Sequence, residues 1–286
     1  MPTKSEKDAV TGMALRDHEW DGLRELDTPL PKWWVYVLYA TVAWSAVYAI
    51  LYPAIPGFRG MLDWSQRVEI VDRMAQSRAA QAERLDRIAA SELAVLATDA
   101  SLAPFALAGG RAAFADNCAP CHGQGGAGRP GGYPVLADDD WIWGGTIEAI
   151  NQTILYGVRS GHDETRVSDM PRFGADALLT RAQIADAAEH VLSLSGRAED
   201  AAAAQRGGVL FIENCAVCHG EDGRGITDVG APDLADGIWL YGDDRASIVA
   251  GIASPRGGVM PAWTGRIDEA TIKMLALYVH GLGGGE

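Results

Sequence analysis

Apolar residues form one long uninterrupted run near the N-terminus and several shorter, periodic segments after it. Residues 33–58 contain no Asp, Glu, Lys, Arg or His, and residues 33–52 are the most apolar part. A helix over that part rises about 1.5 Å per residue and spans about 30 Å, the thickness of a bilayer's hydrocarbon core. Aromatic residues stand at both of its ends, as at membrane interfaces. We predict a transmembrane anchor at 33–56, preceded by an N-terminal segment at 1–32.

Two other interpretations of the apolar run, a buried core helix and a cleaved signal peptide, fit less well. So long a run without charge is rare in soluble proteins. It also follows a mostly polar segment, and no small-residue cleavage site comes after it. Lysines and arginines are balanced on the two sides of the run, so the positive-inside rule does not orient it.

The segment after the anchor has a helical pattern without a clear apolar face. Residues 66–98 contain no Gly or Pro, and Glu69–Arg73 and Glu83–Arg87 are each four residues apart, as helix-stabilising ion pairs are. We predict a solvated helical spacer at 57–104. A docking surface for a partner subunit is the alternative.

The rest of the chain contains one unit twice. The sequence FADNCAPCHG at 114–123 matches FIENCAVCHG at 211–220, and a Met-Pro pair follows in each copy. Each copy ends in an amphipathic helical pattern that begins at a capping residue, Thr180 or Asp268. The sequence therefore predicts an all-α fold: a single N-terminal transmembrane helix followed by two tandem domains of one type, at 105–197 and 198–286.

The repeated motif Cys-x-x-Cys-His is the attachment sequence of c-type haem. Its two thiols bond to the haem vinyl groups, and the adjacent histidine ligates the iron. A redox dithiol or half of a zinc site would explain one isolated motif, but not two inside a longer repeat. We predict two covalently attached haem c groups, held by Cys118, Cys121 and His122 and by Cys215, Cys218 and His219. The two tandem domains are therefore predicted to be cytochrome c domains.

Methionine is a common sixth ligand in electron-carrying cytochromes. Of seven methionines, only Met170 and Met260 lie in loops before proline at corresponding places in the two repeats. Met274 lies in a helical pattern and is expected in the core. We predict Met170 and Met260 as iron ligands. We expect each to serve the haem of its own repeat, because each unit then closes its own pocket.

Composition and charge narrow the function further. The chain has 286 residues, 38 of them acidic and 24 basic, for a net charge of −14, and 48% are hydrophobic. The acidic excess argues against nucleic-acid binding, and the apolar fraction argues against wholesale disorder.

Bacteria attach haem c outside the cytoplasmic membrane. We therefore expect the haem domains in the periplasm, the anchor in the inner membrane and residues 1–32 in the cytoplasm.

The segment His18–Pro31 (HEWDGLRELDTPLP), followed by Lys32-Trp-Trp, one anchor and two consecutive haem domains, closely resembles the diheme subunit of cbb3-type cytochrome c oxidases. The resemblance spans nearly the whole chain. Similarity to single-domain cytochromes c further suggests that the Pro134 and Pro232 carbonyls bind the ligating histidines. Trp141 and Trp239 would line the haem pockets, donate to a haem propionate or serve as core aromatics.

The resemblance implies an electron-transfer subunit with no catalytic residues of its own. It would relay electrons from a donor cytochrome c through two haems toward a monohaem cytochrome c subunit and the oxygen-reducing haem–copper subunit. A quinol–cytochrome c reductase complex is a further expected partner. The acidic haem domains would attract a basic donor. The alternatives are a cytochrome subunit of a periplasmic dehydrogenase, a diheme peroxidase-type enzyme and a purely structural anchor.

Overall fold

A computed structural model describes residues 6–283 and Gly285. The protein is mainly helical, with one small antiparallel sheet in the described part, and divides into two compact units between Ala80 and Gln81. The elements are β1 Leu15–Trp20, β2 Leu23–Leu26, α1 Lys32–Leu51, α2 Gln66–Ala90, α3 Leu93–Thr98, α4 Ala103–Asn117, α5 Ala119–His122, α6 Ile147–Tyr156, α7 Arg181–Leu194, α8 Ala201–Asn214, α9 Ala216–His219, α10 Arg245–Ala253 and α11 Glu269–His280.

The first unit begins with a β-hairpin that the sequence analysis did not predict. Strands β1 and β2 pair in antiparallel fashion, with Trp20 opposite Leu23. Asp21 and Gly22 form the turn and have φ angles of 48° and 82°. Positive φ at both turn residues is the requirement of a type I′ turn, for which Asp-Gly is a favoured sequence. The Asp-Gly pair was therefore an available signal for this hairpin.

Helix α1 occupies most of the predicted anchor. It has 20 residues, none of them buried, and it is long and apolar enough to cross a membrane. It ends at Leu51, a few residues before the predicted limit, because Tyr52 adopts an extended backbone conformation before Pro53. The residue before a proline is driven out of the helical region by a clash with the proline ring.

The predicted spacer is only partly solvated. The expected helix over 66–98 is interrupted at Ser91 and Glu92, which separate α2 from α3. Beyond the interruption, Leu93 and Leu96 are buried, as is Ile88 at the end of α2. The C-terminal part of this segment therefore packs into a hydrophobic core instead of standing free in solvent.

The second unit has two hydrophobic cores, and each combines elements of both repeats. In the first core, α4 of the first repeat packs against α11 of the second. In the second core, α7 of the first repeat packs against α8 of the second. We call the first assembly lobe 1 (residues 85–155 and 260–282) and the second lobe 2 (residues 170–253). Each core of the described residues is therefore shared between the repeats, whereas each repeat was expected to close its own pocket.

The short connection between α7 and α8 explains this exchange. Only residues 195–200 separate the two helices, so they pair as an antiparallel helical hairpin. Their backbones approach closely: a methyl group at Gly207 of α8 would lie 1.9 Å from the Asp186 carbonyl oxygen of α7. The last helix of the first repeat is thus adjacent to the first helix of the second repeat. Helices α4 and α11, at the two ends of the double repeat, are left to pair with each other.

A buried carboxylate closes the α7–α8 hairpin. Glu189 of α7 is 2% exposed and accepts hydrogen bonds from the backbone N–H groups of Glu199 and Asp200, at 3.0 and 3.3 Å. Its other oxygen accepts from Nε of Arg245 in α10 at 2.6 Å. The Arg245 hydrogen bond, followed by these backbone hydrogen bonds, lowers the pKa of Glu189 despite its burial. The carboxylate therefore links three helices of lobe 2.

Two non-helical segments, 157–169 and 254–259, connect the lobes. Lobe 2 is one continuous stretch of chain inserted into lobe 1, so the chain crosses between them once on each side of it. The outgoing and returning segments pair at Val158 and Met260, whose backbones exchange N–H···O hydrogen bonds of 3.0 and 2.9 Å. The Arg159 side chain reinforces the pairing by donating to the carbonyl of Gly258 at 2.8 Å.

Candidate haem sites

Each Cys-x-x-Cys-His motif forms a single helical turn directly after a longer helix. In lobe 1, α4 ends at Asn117, and the His122 N–H donates to the Cys118 carbonyl at 2.8 Å. In lobe 2, the His219 N–H donates to the Cys215 carbonyl at 2.9 Å. Positions i, i+3 and i+4 share one face of a helix. The turn therefore places two thiols and an imidazole on one side, as covalent haem attachment requires.

The imidazoles are oriented by proline carbonyls. His122 Nδ1 lies 3.2 Å from the Pro134 carbonyl oxygen, and His219 Nδ1 lies 3.0 Å from that of Pro232. Burial lowers the pKa of both histidines, although each of these hydrogen bonds acts in the opposite direction. A neutral imidazole that donates from Nδ1 has its Nε2 lone pair free for a metal. The role expected of the two prolines is confirmed by these contacts.

Each methionine packs in the lobe that contains the haem motif of the other repeat, and not in the lobe of its own motif as expected. Met260, from the second repeat, packs against the lobe 1 core together with Cys118. Met170, from the first repeat, packs against the lobe 2 core together with Cys215. The exchange of helices carries the methionine loops with it. Each lobe therefore contains a complete candidate ligand set, with its histidine and its methionine from different repeats.

The methionine loops are anchored in equivalent ways. Three residues after Met260, the Trp263 N–H donates to the Ile154 carbonyl at the end of α6, at 3.2 Å. Four residues after Met170, the Gly174 N–H donates to the Ala253 carbonyl at the end of α10, at 3.1 Å. These bonds attach each loop to the helix that follows the histidine in the same lobe.

The side chains around the motifs fit a haem. Burial, and to a smaller extent the neighbouring cysteine, raises the pKa of the Cys118 and Cys215 thiols to about 11, so both are neutral before attachment. In lobe 2, Nε1 of Trp239 is buried and has no hydrogen-bond partner among the described residues. A buried indole N–H normally has an acceptor. A haem carboxylate supplies that kind of acceptor, which fits the propionate role considered for Trp239.

Acidic side chains cluster where the loops after the two motifs meet. Burial and the nearby Asp236 raise the pKa of Asp140 to about 6. Burial is also the main cause of the raised pKa of Asp138 and Asp236. Asp138 and Asp236 occupy corresponding positions in the two repeats. Negative charge of both repeats is therefore concentrated at one place in the second unit.

The sequence identifies the candidate ligands, but it shows neither their pairing nor the contacts between the lobes. His122 shares a lobe with Met260, and His219 shares a lobe with Met170. Met274, expected in the core, is 5% exposed in α11. Trp143 and Tyr241, which contact the opposite lobe, were missed. The repeat offset that aligns Trp141 with Trp239 continues to Trp143 and Tyr241 and was a usable signal.

Two attachment turns, two oriented imidazoles and two methionine loops within one helical unit define a tandem c-type cytochrome. The family model described as "Cytochrome C oxidase, cbb3-type, subunit III" matches residues 105–191 and 202–279. The model of the N-terminal domain of cytochrome oxidase-cbb3, FixP, matches residues 12–59. The second match covers the β-hairpin and the apolar helix.

Full-length relatives agree with these matches. The cbb3-type cytochrome c oxidase subunit CcoP of Azospirillum brasilense is 50% identical, with 99% of each chain covered. Subunit FixP of Bradyrhizobium sp. (strain ORS 278) is 46% identical over 100% of each chain, and CcoP of Cereibacter sphaeroides is 47% identical over 94% of each. The chain belongs to the family of subunit III of cbb3-type cytochrome c oxidases.

This membership confirms the predicted class of function. The chain is an electron-transfer subunit with two cytochrome c domains and two covalently bound haem c groups, and it is not itself the catalytic subunit. It is anchored in a membrane and works with other subunits of an oxidase complex.

Proposed function

We propose that this chain receives electrons from a donor cytochrome c in the periplasm. It passes them to a monohaem cytochrome c subunit, and through that subunit to the haem–copper subunit that reduces oxygen. The observation that supports this proposal best is the presence of two complete sets of candidate ligands in adjoining lobes. A chain with two one-electron sites and no catalytic centre is suited to relay.

We assign His122 and Met260 to the haem on Cys118 and Cys121 in lobe 1. His219 and Met170 belong to the haem on Cys215 and Cys218 in lobe 2. In each lobe, the proline carbonyl holds the imidazole in the tautomer that presents Nε2, and the anchored loop holds the thioether. When bound, each haem iron supplies one-electron redox chemistry between its ferrous and ferric states.

The proposed ligands also argue against a peroxidase-type enzyme. Such an enzyme needs an open or replaceable axial position at one haem. Here the assigned histidine and methionine of each lobe would both hold the iron and would leave no position open to peroxide. The packing of both methionine loops against their cores keeps the thioethers in place.

Purification of the chain from its native membrane separates the oxidase proposal from the dehydrogenase alternative. We expect the anchored chain to co-purify with a haem–copper subunit, detected as b-type haem and copper, and with a second haem-staining polypeptide of a single haem. Isolation with a quinoprotein or flavoprotein dehydrogenase, without copper or b-type haem, would contradict the proposal. A variant that lacks residues 1–65, and therefore lacks the anchor, controls for non-specific binding through the haem lobes.

The orientation across the membrane follows from haem attachment outside the cytoplasmic membrane. The two lobes would then face the periplasm and meet a donor directly. Residues 111–286 carry 24 acidic and 13 basic residues, so this surface attracts a donor with a basic patch. Such attraction is screened by salt, because the Debye length falls from about 30 Å at 0.01 M to about 8 Å at 0.15 M.

Right-side-out spheroplasts test the orientation and the donor together. We expect an added, reduced, basic cytochrome c to reduce the chain's haems in sealed spheroplasts, with a rate that falls about tenfold or more between 0.01 and 0.15 M salt. An acidic cytochrome c of similar potential is the matched control and should react slowly at low salt. Reduction only after the membrane is broken would contradict the orientation, and a rate independent of salt would contradict the steering.

A further inference from the structure

The loop that orients each ligating histidine is also touched by an aromatic side chain of the opposite lobe. Gly132 lies two residues before Pro134, and Gly230 lies two residues before Pro232. A methyl group at Gly132 would lie 2.4 Å from Cε1 of Tyr241. A methyl group at Gly230 would lie 2.3 Å from Cζ2 of Trp143.

These two contacts are equivalent in the double repeat. Tyr241 lies in lobe 2, shortly before α10, and contacts the histidine loop of lobe 1. Trp143 lies in lobe 1, shortly before α6, and contacts the histidine loop of lobe 2. Each aromatic ring rests against glycine backbone of the other lobe, where any larger side chain would displace it.

The same rings also contact the segments that lead to the two methionines. We call residues 256–259 the arm of Met260 and residues 166–169 the arm of Met170. The guanidinium of Arg256, four residues before Met260, lies 4.4 Å from the Tyr241 ring centroid, and Arg256 Nη2 donates to the Tyr241 carbonyl at 3.1 Å. The guanidinium of Arg166, four residues before Met170, lies 5.3 Å from the Trp143 ring centroid. A guanidinium at this distance from an aromatic ring is attracted to the ring face, so each arm is held to its ring.

Arg166 is also fixed to lobe 1. Its Nη2 donates to the Ala149 carbonyl and to Oε1 of Gln152 in α6, both at 3.2 Å. Trp143 and α6 thus hold the arm that precedes Met170, although Met170 itself packs in lobe 2. Both the histidine loop and the methionine arm of lobe 2 are therefore in contact with lobe 1.

We propose that Tyr241 and Trp143 are positioning residues, each of which fixes the ligand loops of the haem in the opposite lobe. Tyr241 of lobe 2 braces the loop of Pro134 and the arm of Met260. Trp143 of lobe 1 braces the loop of Pro232 and the arm of Met170. Each haem's redox potential then depends on an aromatic ring that belongs to the other haem's lobe. This inference rests on the proposed ligation by His122 and His219.

The aromatic contact affects the redox potential of the haem through the basicity of the ligating histidine. The hydrogen bond from histidine Nδ1 to a carbonyl makes the imidazole a stronger donor, which favours ferric iron. If the brace is removed, the proline loop is free to move away and this bond lengthens. The imidazole becomes a weaker donor, and the potential of that haem rises.

The test requires the two haems to be distinguished in one intact chain. Cys118→Ala leaves the first haem attached through a single thioether, which displaces its α-band from that of the second haem. All variants are made in this full-length Cys118→Ala chain, which we call the tagged chain because its lobe 1 haem is marked by the displaced α-band. We expect Tyr241→Ala to raise the potential of the tagged haem and to leave that of the lobe 2 haem unchanged. We expect Trp143→Ala to raise only the lobe 2 potential.

A conservative variant serves as the matched control. Tyr241→Phe keeps the ring atoms that contact Gly132, Cε1 and Cζ, and should preserve both potentials. If Tyr241→Ala fails to assemble both haems, Tyr241→Leu is titrated in its place with the same expected shift. A role confined to local packing would move the lobe 2 potential in Tyr241→Ala, because Tyr241 lies two residues from Trp239 in that core.

The outcomes are distinct. A shift in the haem of the substituted residue's own lobe, equal shifts in both haems, or no shift in either would overturn the inference. Failure of the tag to displace any α-band would instead contradict haem attachment at Cys118. Failure of the inference and failure of the proposed function are therefore distinguishable.

Discussion

Replacing Met260 by histidine should lower the potential of the haem attached at Cys118 and Cys121, in the first motif of the chain. Met260 comes from the second repeat, but it packs against the lobe 1 core, as Cys118 does. Imidazole donates more strongly to ferric iron than a thioether does, so bis-histidine ligation favours the oxidised state. We expect a drop on the order of 0.3 V, within the range of about 0.8 V that axial ligands span. A redox titration of the Cys118→Ala chain, in which Cys121 alone attaches that haem, measures it.

Met170→His is the matched variant and should lower only the potential of the haem at Cys215 and Cys218. Met274→Leu controls for general disturbance, because Met274 is a core residue of α11 and should leave both potentials in place. If Met260→His shifts the second haem instead, the exchange of ligands between repeats is refuted. If neither potential moves, Met260 is not a ligand.

Removal of both thiols of one motif should remove one haem. The double variant Cys215→Ala, Cys218→Ala deletes both thioether bonds of lobe 2, and we expect the covalent haem content to fall from two per chain to one. Lobe 1 has its own core, which contains Phe114 and Leu275, so the first haem should stay attached. Mass spectrometry of the intact chain and the reduced pyridine spectrum measure the haem count.

The reciprocal double variant Cys118→Ala, Cys121→Ala is the control and should also retain one haem. A content of two haems in either double variant would contradict attachment at that motif. Loss of both haems from one variant would show that the lobes do not mature independently.

The sequence was most informative where one local physical rule determines the outcome. The apolar run predicted α1 to within a few residues, because length and lack of charge define a membrane helix. Thr180 was predicted to begin a helix, and both hydrogen bonds of a capping box are present between it and Gln183. The spacing of Cys-x-x-Cys-His likewise indicated one turn with two thiols and an imidazole.

The sequence was less informative where the pairing of elements decides the outcome. The two repeats have equivalent helices, so α4 can in principle pair with α7 or with α11. Either pairing is compatible with the same repeated sequence, so the repeat alone does not decide between them. The choice depends on the six-residue connection at 195–200, which makes α7 and α8 neighbours, and on Glu189, which links that hairpin to α10. The shortness of that connection favours the exchange, because it makes α7 and α8 neighbours in space.

The close approach of Tyr241 to Gly132 also could not be predicted from single motifs. A glycine two residues before each proline is visible in both repeats, and so is an aromatic residue two positions after the tryptophan that the two repeats share. Only the exchanged packing shows that these features contact each other across the lobes. The repeat supplied the parts of the interface, and the topology determined which parts meet.

The central claim is that each haem is ligated by the histidine of one repeat and the methionine of the other. A structure of the haem-loaded chain within its complex, at a resolution that shows the axial bonds, tests it most directly. We predict the Met260 sulfur on the iron that is bound by His122, and the Met170 sulfur on the iron bound by His219. Met170 on the iron bound by His122 and Met260 on the iron bound by His219 would contradict the account.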